Sequence, residues 1–168
     1  MFENVKHGLA AHSGDFGAQG FWVMLVYRFG RWRYGIRPPL LRKACSLLYR
    51  IAYKLVQMAT GIELPCEVEL GRNFVIDHFG GIIVSGYAKF GDDCRIRNGV
   101  VVGLARTDDP CAPVIGNNVD IGAGAKVLGR IRIGNNVLIG ANAVVTRDIP
   151  DDSVAVGIPA VARPRKTP

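Results

Sequence analysis

Histidines, cysteines and acidic residues are the side chains of this sequence that could do chemistry. An imidazole ring can take up or release a proton near neutral pH because its ordinary pKa lies there. The three histidines, His7, His12 and His78, are too few and too scattered for a three-histidine zinc site within one chain. We therefore expect no metal ion, and proton transfer at a histidine remains as the predicted chemistry.

The cysteines are expected to be structural. Four are present, at positions 45, 66, 94 and 111, and they form no CxxC pair. No secretory signal sequence precedes them, so the sequence predicts reduced thiols in a cytoplasmic protein.

Charge divides the sequence near residue 61. Residues 1–60 hold nine Lys/Arg and two acidic residues, whereas residues 61–168 hold twelve of each sign. Residues 40–59 place apolar side chains on one helical face, and the longest apolar run before them, residues 21–27, is too short to span a membrane. We expect a helical N-terminal segment, residues 1–60, that packs on a neighbouring domain or subunit or contacts an anionic membrane surface. No nucleic-acid-binding motif accompanies the charge, so nucleic acid is not an expected partner.

A six-residue period runs through the rest of the sequence and predicts its fold. A six-residue unit forms one short strand and one corner, and three units stack as a coil of parallel strands. Glycine and asparagine after the apolar position suit the tight corners. The sequence therefore predicts a parallel β-helix over residues 61–162, followed by a basic tail, 163–168. The repeated apolar positions are Leu64, Leu70, Ile76, Val84, Phe90, Ile96, Val102, Ile115, Ile121, Val127, Ile133, Ile139 and Val145.

Two breaks in the period mark candidate functional sites. Ile76 to Val84 is two residues too long for one unit, and the surplus surrounds Asp77-His78. Val102 to Ile115 is one residue longer than two units and lacks the repeat pattern. A regular solenoid that departs from its period extrudes a loop, and loops on rigid scaffolds carry sites.

Several motifs resemble one family. The stretches IDHFGGIIVSG, IGAGAKVLG, IGANAVV and VGIPA, together with GFWVMLVYRFGRW at residues 20–32, resemble the serine acetyltransferase branch of the hexapeptide-repeat acyltransferases. The resemblance implies a left-handed β-helix, an exception to the usual handedness of crossovers. It also implies acetyl-CoA as co-substrate and a homotrimer that binds it between neighbouring subunits; trimers that pair into hexamers are a further possibility.

The resemblance assigns roles to individual residues. His78 would be the general base that takes the proton of a hydroxyl attacking the thioester, Glu63 would orient its ring, and Asp77 would touch the acceptor. Glu63 is one methylene longer than the family's aspartate, and it could equally be a solvated charge. The residues expected to contact acetyl-CoA are Gly122, Ala123, Gly124 and Ala141 in a groove, and Arg163 and Lys166 at the CoA phosphates.

The expected acceptor hydroxyl follows from where this sequence departs from the serine-specific members. Serine-specific members carry an Arg-His-Pro element that grips a carboxylate, where this sequence has residues 106–110, RTDDP. The short N-terminal segment, Tyr27-Arg28 and the Cys111-Ala112-Pro113 loop look more like colanic-acid and capsule acetyltransferases. We therefore expect acetyl transfer to a sugar hydroxyl of an exopolysaccharide or its precursor, with Arg106, Asp109 and Asp77 at the acceptor. Serine O-acetylation and an inactive trimeric scaffold are the alternatives.

Overall fold

Two helices precede the solenoid in the computed structural model, which describes residues 19–165. Helix α1 (Gln19–Trp32) is followed by a short 3-10 helix (Arg33–Gly35) and by helix α2 (Pro39–Thr60). Helix α2 begins directly after Pro38, and Gly61, with φ 65°, ends it in the left-handed conformation.

Helix α1 attaches the helical segment to the first coil. Its buried residues include Val23, Met24 and Tyr27, and the Tyr27 hydroxyl donates a 2.8 Å hydrogen bond to the carbonyl oxygen of Val68. Gly30 lies where a Cβ atom would stand 2.6 Å from both Cys66 Cβ and the Tyr49 ring. The missing side chain therefore lets α1 approach both α2 and the solenoid.

Fifteen short strands follow between residues 62 and 164, and they form three sheets. The first face contains β1, β4, β7, β10 and β13; the second contains β2, β5, β8 and β11; the third contains β3, β6, β9, β12, β14 and β15. All neighbouring strands are parallel except β14 and β15, which form an antiparallel pair in the last coil. The strands are β1 (Ile62–Glu63), β2 (Glu69–Leu70), β3 (Val75–Asp77), β4 (Ile82–Val84), β5 (Lys89–Phe90), β6 (Arg95–Arg97), β7 (Val101–Gly103), β8 (Val114–Ile115), β9 (Asp120–Ile121), β10 (Lys126–Leu128), β11 (Arg132–Ile133), β12 (Leu138–Ile139), β13 (Val144–Val145), β14 (Ser153–Gly157) and β15 (Ala160–Pro164).

Apolar ladders fill the interior of the prism. On the third face, residues one coil apart lie side by side, and each is at most 2% exposed: Ile76, Ile96, Ile121, Ile139 and Ala155. Of the thirteen periodic positions in the sequence, Leu70 is half-buried and the others are buried. The predicted β-helix is confirmed, and the period marks its inward-facing side chains.

Asparagine and aspartate stack at the corner between the second and third faces. Asn118 Nδ2 donates to Asn136 Oδ1 at 2.9 Å, and Asn136 Nδ2 donates to Asp152 Oδ1 at 2.9 Å. These residues have φ between 53° and 56°, a conformation that short polar side chains tolerate. Each corner therefore satisfies polar groups of the next coil.

The helical segment contributes a long exposed apolar face. Within α2 only Tyr49 and Thr60 are fully buried, so the amphipathic face predicted from the sequence points away from the chain's own core. Among residues 19–165, no helix combines the length and the apolar character that crossing a membrane requires.

Because the coils lie close together, some corner glycines have no room for a Cβ atom. A Cβ atom at Gly71 would stand 2.4 Å from the carbonyl carbon and oxygen of Gly91, backbone atoms that cannot move aside cheaply. We expect Gly71→Ala to lower the free energy of unfolding by about 1–3 kcal/mol, measured by urea denaturation. Gly35→Ala is the matched control, because a Cβ atom there meets nothing within 4 Å. Equal stability of the two variants would contradict the stacking argument.

Candidate active site

His78 lies at the corner where the third face turns into the first. The stacked turns of this corner are residues 78–81, 98–99, 122–124 and 140–142, and we refer to them as the His78 corner. His78 has φ 64° and an exposed side chain. Histidine is among the few non-glycine residues that enter this backbone region with any frequency.

The surplus residues of the first break are His78 and Phe79. In the strand register Asp77 lies beside Arg97, and Ile83 lies beside Val101. The chain therefore advances six residues in one coil where it advances four in the next. The amide of Gly99 donates to the carbonyl of Gly80 at 2.9 Å, which aligns Gly80 with Asn98. This alignment leaves His78 and Phe79 without counterparts in the next coil.

Small residues continue down the same corner from His78. The amide of Gly124 donates to the carbonyl of Asn98, and the amide of Asn142 donates to the carbonyl of Ala123, each at 2.8 Å. A Cβ atom at Gly122 would stand 2.6 Å from the Ala141 nitrogen. Gly122, Ala123, Gly124 and Ala141, predicted from the resemblance to line a groove, therefore share one corner with His78.

Asp77 belongs to a network of charges on the third face. Its Oδ2 atom lies 2.6 Å from Arg95 Nη1 and 4.0 Å from Arg97 Nε. Arg97 also forms a two-pronged ion pair with Asp120, and the hydrogen bond to that carboxylate raises the pKa of the guanidinium. Among residues 19–165, no hydrogen bond or ion pair engages Asp77 Oδ1.

Glu63 lies on the outer side of the first face, in the strand position next to Ile83. Its carboxylate accepts a 3.1 Å hydrogen bond from Gln57 Nε2. It makes no hydrogen bond or ion pair with His78, although both residues belong to the described part of the chain. Burial, followed by the negative charge of Glu63, raises the pKa of Tyr53 to about 12.

The second break forms a loop, residues 104–113, between the first and second faces. Arg106 pairs with Asp108 at 2.9 Å, and Asp109 pairs with Arg130 at 3.2 Å. The neighbouring Asp109 side chain raises the pKa of the Cys111 thiol above its ordinary value. Arg106 and Asp109 therefore occupy a different corner of the same prism from His78.

The remaining predicted residues are dispersed. Arg163 is exposed on β15, opposite Val154. Lys166, His7 and His12 lie outside the described residues. Within residues 19–165, no three His, Cys, Asp or Glu side chains are grouped so that they could hold a metal ion.

Sequence reasoning missed the cations around this corner. Lys126 Nζ donates to the carbonyl oxygens of Gly99 and Gly124, at 2.6 and 2.9 Å. Arg95 and Arg97 lie eighteen and twenty residues after Asp77, and one coil of eighteen plus the two surplus residues places Arg97 beside Asp77. The coil length, corrected for the two surplus residues, could therefore have predicted from the sequence that Arg97 lies beside Asp77.

The fold is that of the hexapeptide-repeat transferases. The family model "Bacterial transferase hexapeptide (six repeats)" matches residues 112–147. A serine acetyltransferase of Helicobacter pylori strain J99 is 39% identical over 142 residues, which are 84% of this chain and 79% of that protein. The chain belongs to the serine acetyltransferase family.

Other relatives are longer than this chain. It is 40% identical to a serine acetyltransferase of Synechococcus elongatus over 83% of its own length and 55% of the other protein. The crystal structure of a Neisseria gonorrhoeae serine acetyltransferase superposes with a TM-score of 0.81 at 28% identity, covering 99% of this chain and 66% of that chain. The chain thus spans about half the length of the first curated relatives that it matches.

The expected sugar acceptor is wrong. The relatives that share about 40% identity with most of this chain are serine acetyltransferases, and the specific likeness to colanic-acid enzymes is not supported. That expectation depended on the 106–113 loop, on Tyr27-Arg28 and on the length of the N-terminal segment. All three lie outside the repeats, and so they carry less information about the family than the repeats do.

Proposed function

We propose that this protein is an acetyl-CoA-dependent serine O-acetyltransferase and that His78 is its general base. The observation that carries the proposal is the position of His78. A two-residue insertion holds the ring outside the regular coil, at the same corner as a descending row of small residues. The family membership supports the proposed reaction class and the proposed acceptor.

In the proposed reaction His78 transfers a proton from the serine hydroxyl to the sulfur of CoA. Bound acetyl-CoA supplies a thioester, whose carbonyl carbon is attacked by the serine hydroxyl oxygen. The imidazole takes the hydroxyl proton as the C–O bond forms. It returns that proton to the departing sulfur as the C–S bond breaks. The products are O-acetylserine and CoA, and the base ends in its starting state.

The charges beside His78 suit a zwitterionic acceptor. Asp77 presents Oδ1, which has no partner among residues 19–165, to the ammonium group of serine. Arg95 and Arg97 lie on the same face and offer guanidinium groups to a carboxylate. Carboxylate recognition would then not require the Arg-His-Pro element that residues 106–110 lack.

The small residues below His78 are proposed to hold the pantetheine arm. Glycine and alanine leave backbone amides and carbonyls accessible, and a larger side chain would occupy that space. Ala141 is exposed at the end of the row farthest from His78. Arg163, and Lys166 beyond the described residues, are proposed to meet the CoA phosphates.

A trimer would complete the site. Arg106 and Asp109 lie at another corner of the same chain, so they can reach an acceptor at His78 only from a neighbouring subunit. Glu63, which contacts Gln57 in this chain, would need to turn toward the ring to orient it. We propose a homotrimer in which these groups meet between subunits.

The role of His78 predicts a specific loss of activity. His78→Ala should lower turnover with acetyl-CoA and L-serine by about 100-fold or more, because the general base is removed. The affinity for CoA and the assembly state should remain unchanged. CoA release, followed by thiol titration, measures turnover, and calorimetry measures CoA affinity.

Asn118→Ala is the matched control for His78→Ala. It also places alanine at an exposed position of positive φ, but at the Asn/Asp corner. Loss of less than tenfold in His78→Ala, or an equal loss in both variants, would refute the base assignment. A wild-type protein that binds CoA yet releases none with L-serine would refute the acceptor and favour an inactive scaffold.

The groove assignment predicts an effect on donor binding. Ala141→Trp should weaken CoA binding at least tenfold, because the indole would fill the proposed path of the pantetheine arm. Thr146→Trp is the control, since Thr146 is an exposed residue of the same coil beyond the first face. Unchanged affinity in Ala141→Trp would place the cofactor elsewhere.

A further inference from the structure

Helix α2 carries an apolar stripe that the described chain leaves uncovered. Leu40 and Met58, near its two ends, are 81% and 80% exposed. The stripe follows helical spacing over most of a helix of 22 residues, which spans about 33 Å. Its members, each at least half exposed, are Leu40, Leu41, Leu47, Leu48, Ile51, Leu55 and Met58.

Cations run beside this stripe. Lys43, Arg50 and Lys54 follow one another at intervals of seven and four residues, which places them along one side of the helix. A shallow depression in the same surface is lined by Arg42, Lys43, Ser46, Leu47 and Arg50. None of these cations forms an ion pair within residues 19–165.

Negative charge is absent from this part of the sequence. Residues 19–61 contain eight Lys/Arg and no Asp or Glu. A second copy of α2 would therefore supply apolar surface to the stripe but only further positive charge to the cations beside it. The occupant that satisfies both features has an apolar interior and an anionic surface.

We propose that α2 lies on the surface of a membrane containing anionic phospholipids. The leucines and Met58 enter the boundary between headgroups and acyl chains, as in other helices with one apolar and one cationic side. Arg42, Lys43 and Arg50 surround a depression that receives a lipid phosphate. The solenoid, residues 61–162, holds twelve acidic and nine basic residues, and it stays in the aqueous phase.

This proposal is independent of the proposed reaction. The His78 corner belongs to the solenoid, whereas the stripe belongs to the helix that precedes it. Loss of membrane binding would leave serine acetylation with soluble substrates intact. Loss of activity in His78→Ala would likewise leave membrane binding intact, so the two proposals fail separately.

Vesicle flotation with the full chain tests the proposal. We expect the protein to float with phosphatidylcholine vesicles that contain about 30 mol% phosphatidylglycerol and not with phosphatidylcholine alone. Raising the salt concentration from about 0.05 to 0.5 M should release it, because the charges are screened. Equal behaviour toward the two vesicles would overturn the proposal.

Charge variants separate α2 from the net charge of the protein. The combined substitution Arg42→Gln, Lys43→Gln, Arg50→Gln should weaken vesicle binding on the order of 100-fold. Arg42→Lys, Lys43→Arg, Arg50→Lys should retain it. The control, Lys89→Gln, Arg132→Gln, Arg147→Gln, removes the same charge from exposed positions on the solenoid. Equal losses in the α2 and solenoid variants would overturn the assignment.

An apolar variant identifies the occupant of the stripe. Leu40→Ser, Met58→Ser should weaken vesicle binding without changing thermal stability or mass in solution, because both side chains are exposed. A smaller assembly with unchanged vesicle binding would instead make the stripe an interface between copies. Binding to duplex DNA that depends on the same cations but not on Leu40 and Met58 would make the partner a nucleic acid. Either outcome would overturn the membrane proposal.

Discussion

Direct backbone contact between successive coils is the constraint on which this structure depends. Gly71 faces the backbone of Gly91 with no room for a side-chain carbon, and Gly122 faces Ala141 in the same manner. The two corners that flank the third face are therefore built largely from glycine and from Asn, Asp and His residues of positive φ. The apolar ladders inside the prism follow, because each inward-facing side chain rests on its counterpart one coil away.

The same constraint makes an insertion stand out. A regular coil offers no freedom at its corners, so His78 and Phe79 leave the stack and carry their side chains outward. The surrounding coils are rigid and fix the point from which the imidazole projects. A fixed backbone position favours general-base catalysis, because proton transfer depends on the distance and alignment between the imidazole and the hydroxyl. The same stacking requires small residues at Gly122 and Gly124, where a Cβ atom would collide with the next coil.

The period made the solenoid predictable, since Ile76, Ile96 and Ile121 repeat one structural role. The site was less accessible from sequence. Asp77 and His78 stood out because they interrupt the period, whereas Arg95 and Arg97 are ordinary exposed-face residues until the register places them beside Asp77. The apolar face of α2 was also visible in the sequence. Its exposure was not, because nothing in a helical pattern says which surface covers it.

The acceptor expectation failed for a related reason. Residues 106–110 lack a known carboxylate-binding element, but a carboxylate can be bound by any guanidinium that the fold brings near. Arg95 and Arg97 lie next to Asp77 although they are distant from that loop in sequence. The absence of a motif is therefore weaker evidence than a strand register that places two arginines beside Asp77, the residue before the proposed base.

The roles of His78 and of the small-residue corner can be tested in a crystal structure with CoA and L-serine bound. We expect the pantetheine arm to follow the corner formed by Ala123, Gly124 and Ala141. We expect the serine hydroxyl oxygen to lie about 2.6–3.2 Å from a ring nitrogen of His78. CoA seated at another corner, or a serine hydroxyl beyond the reach of His78 even through one water molecule, would contradict these roles.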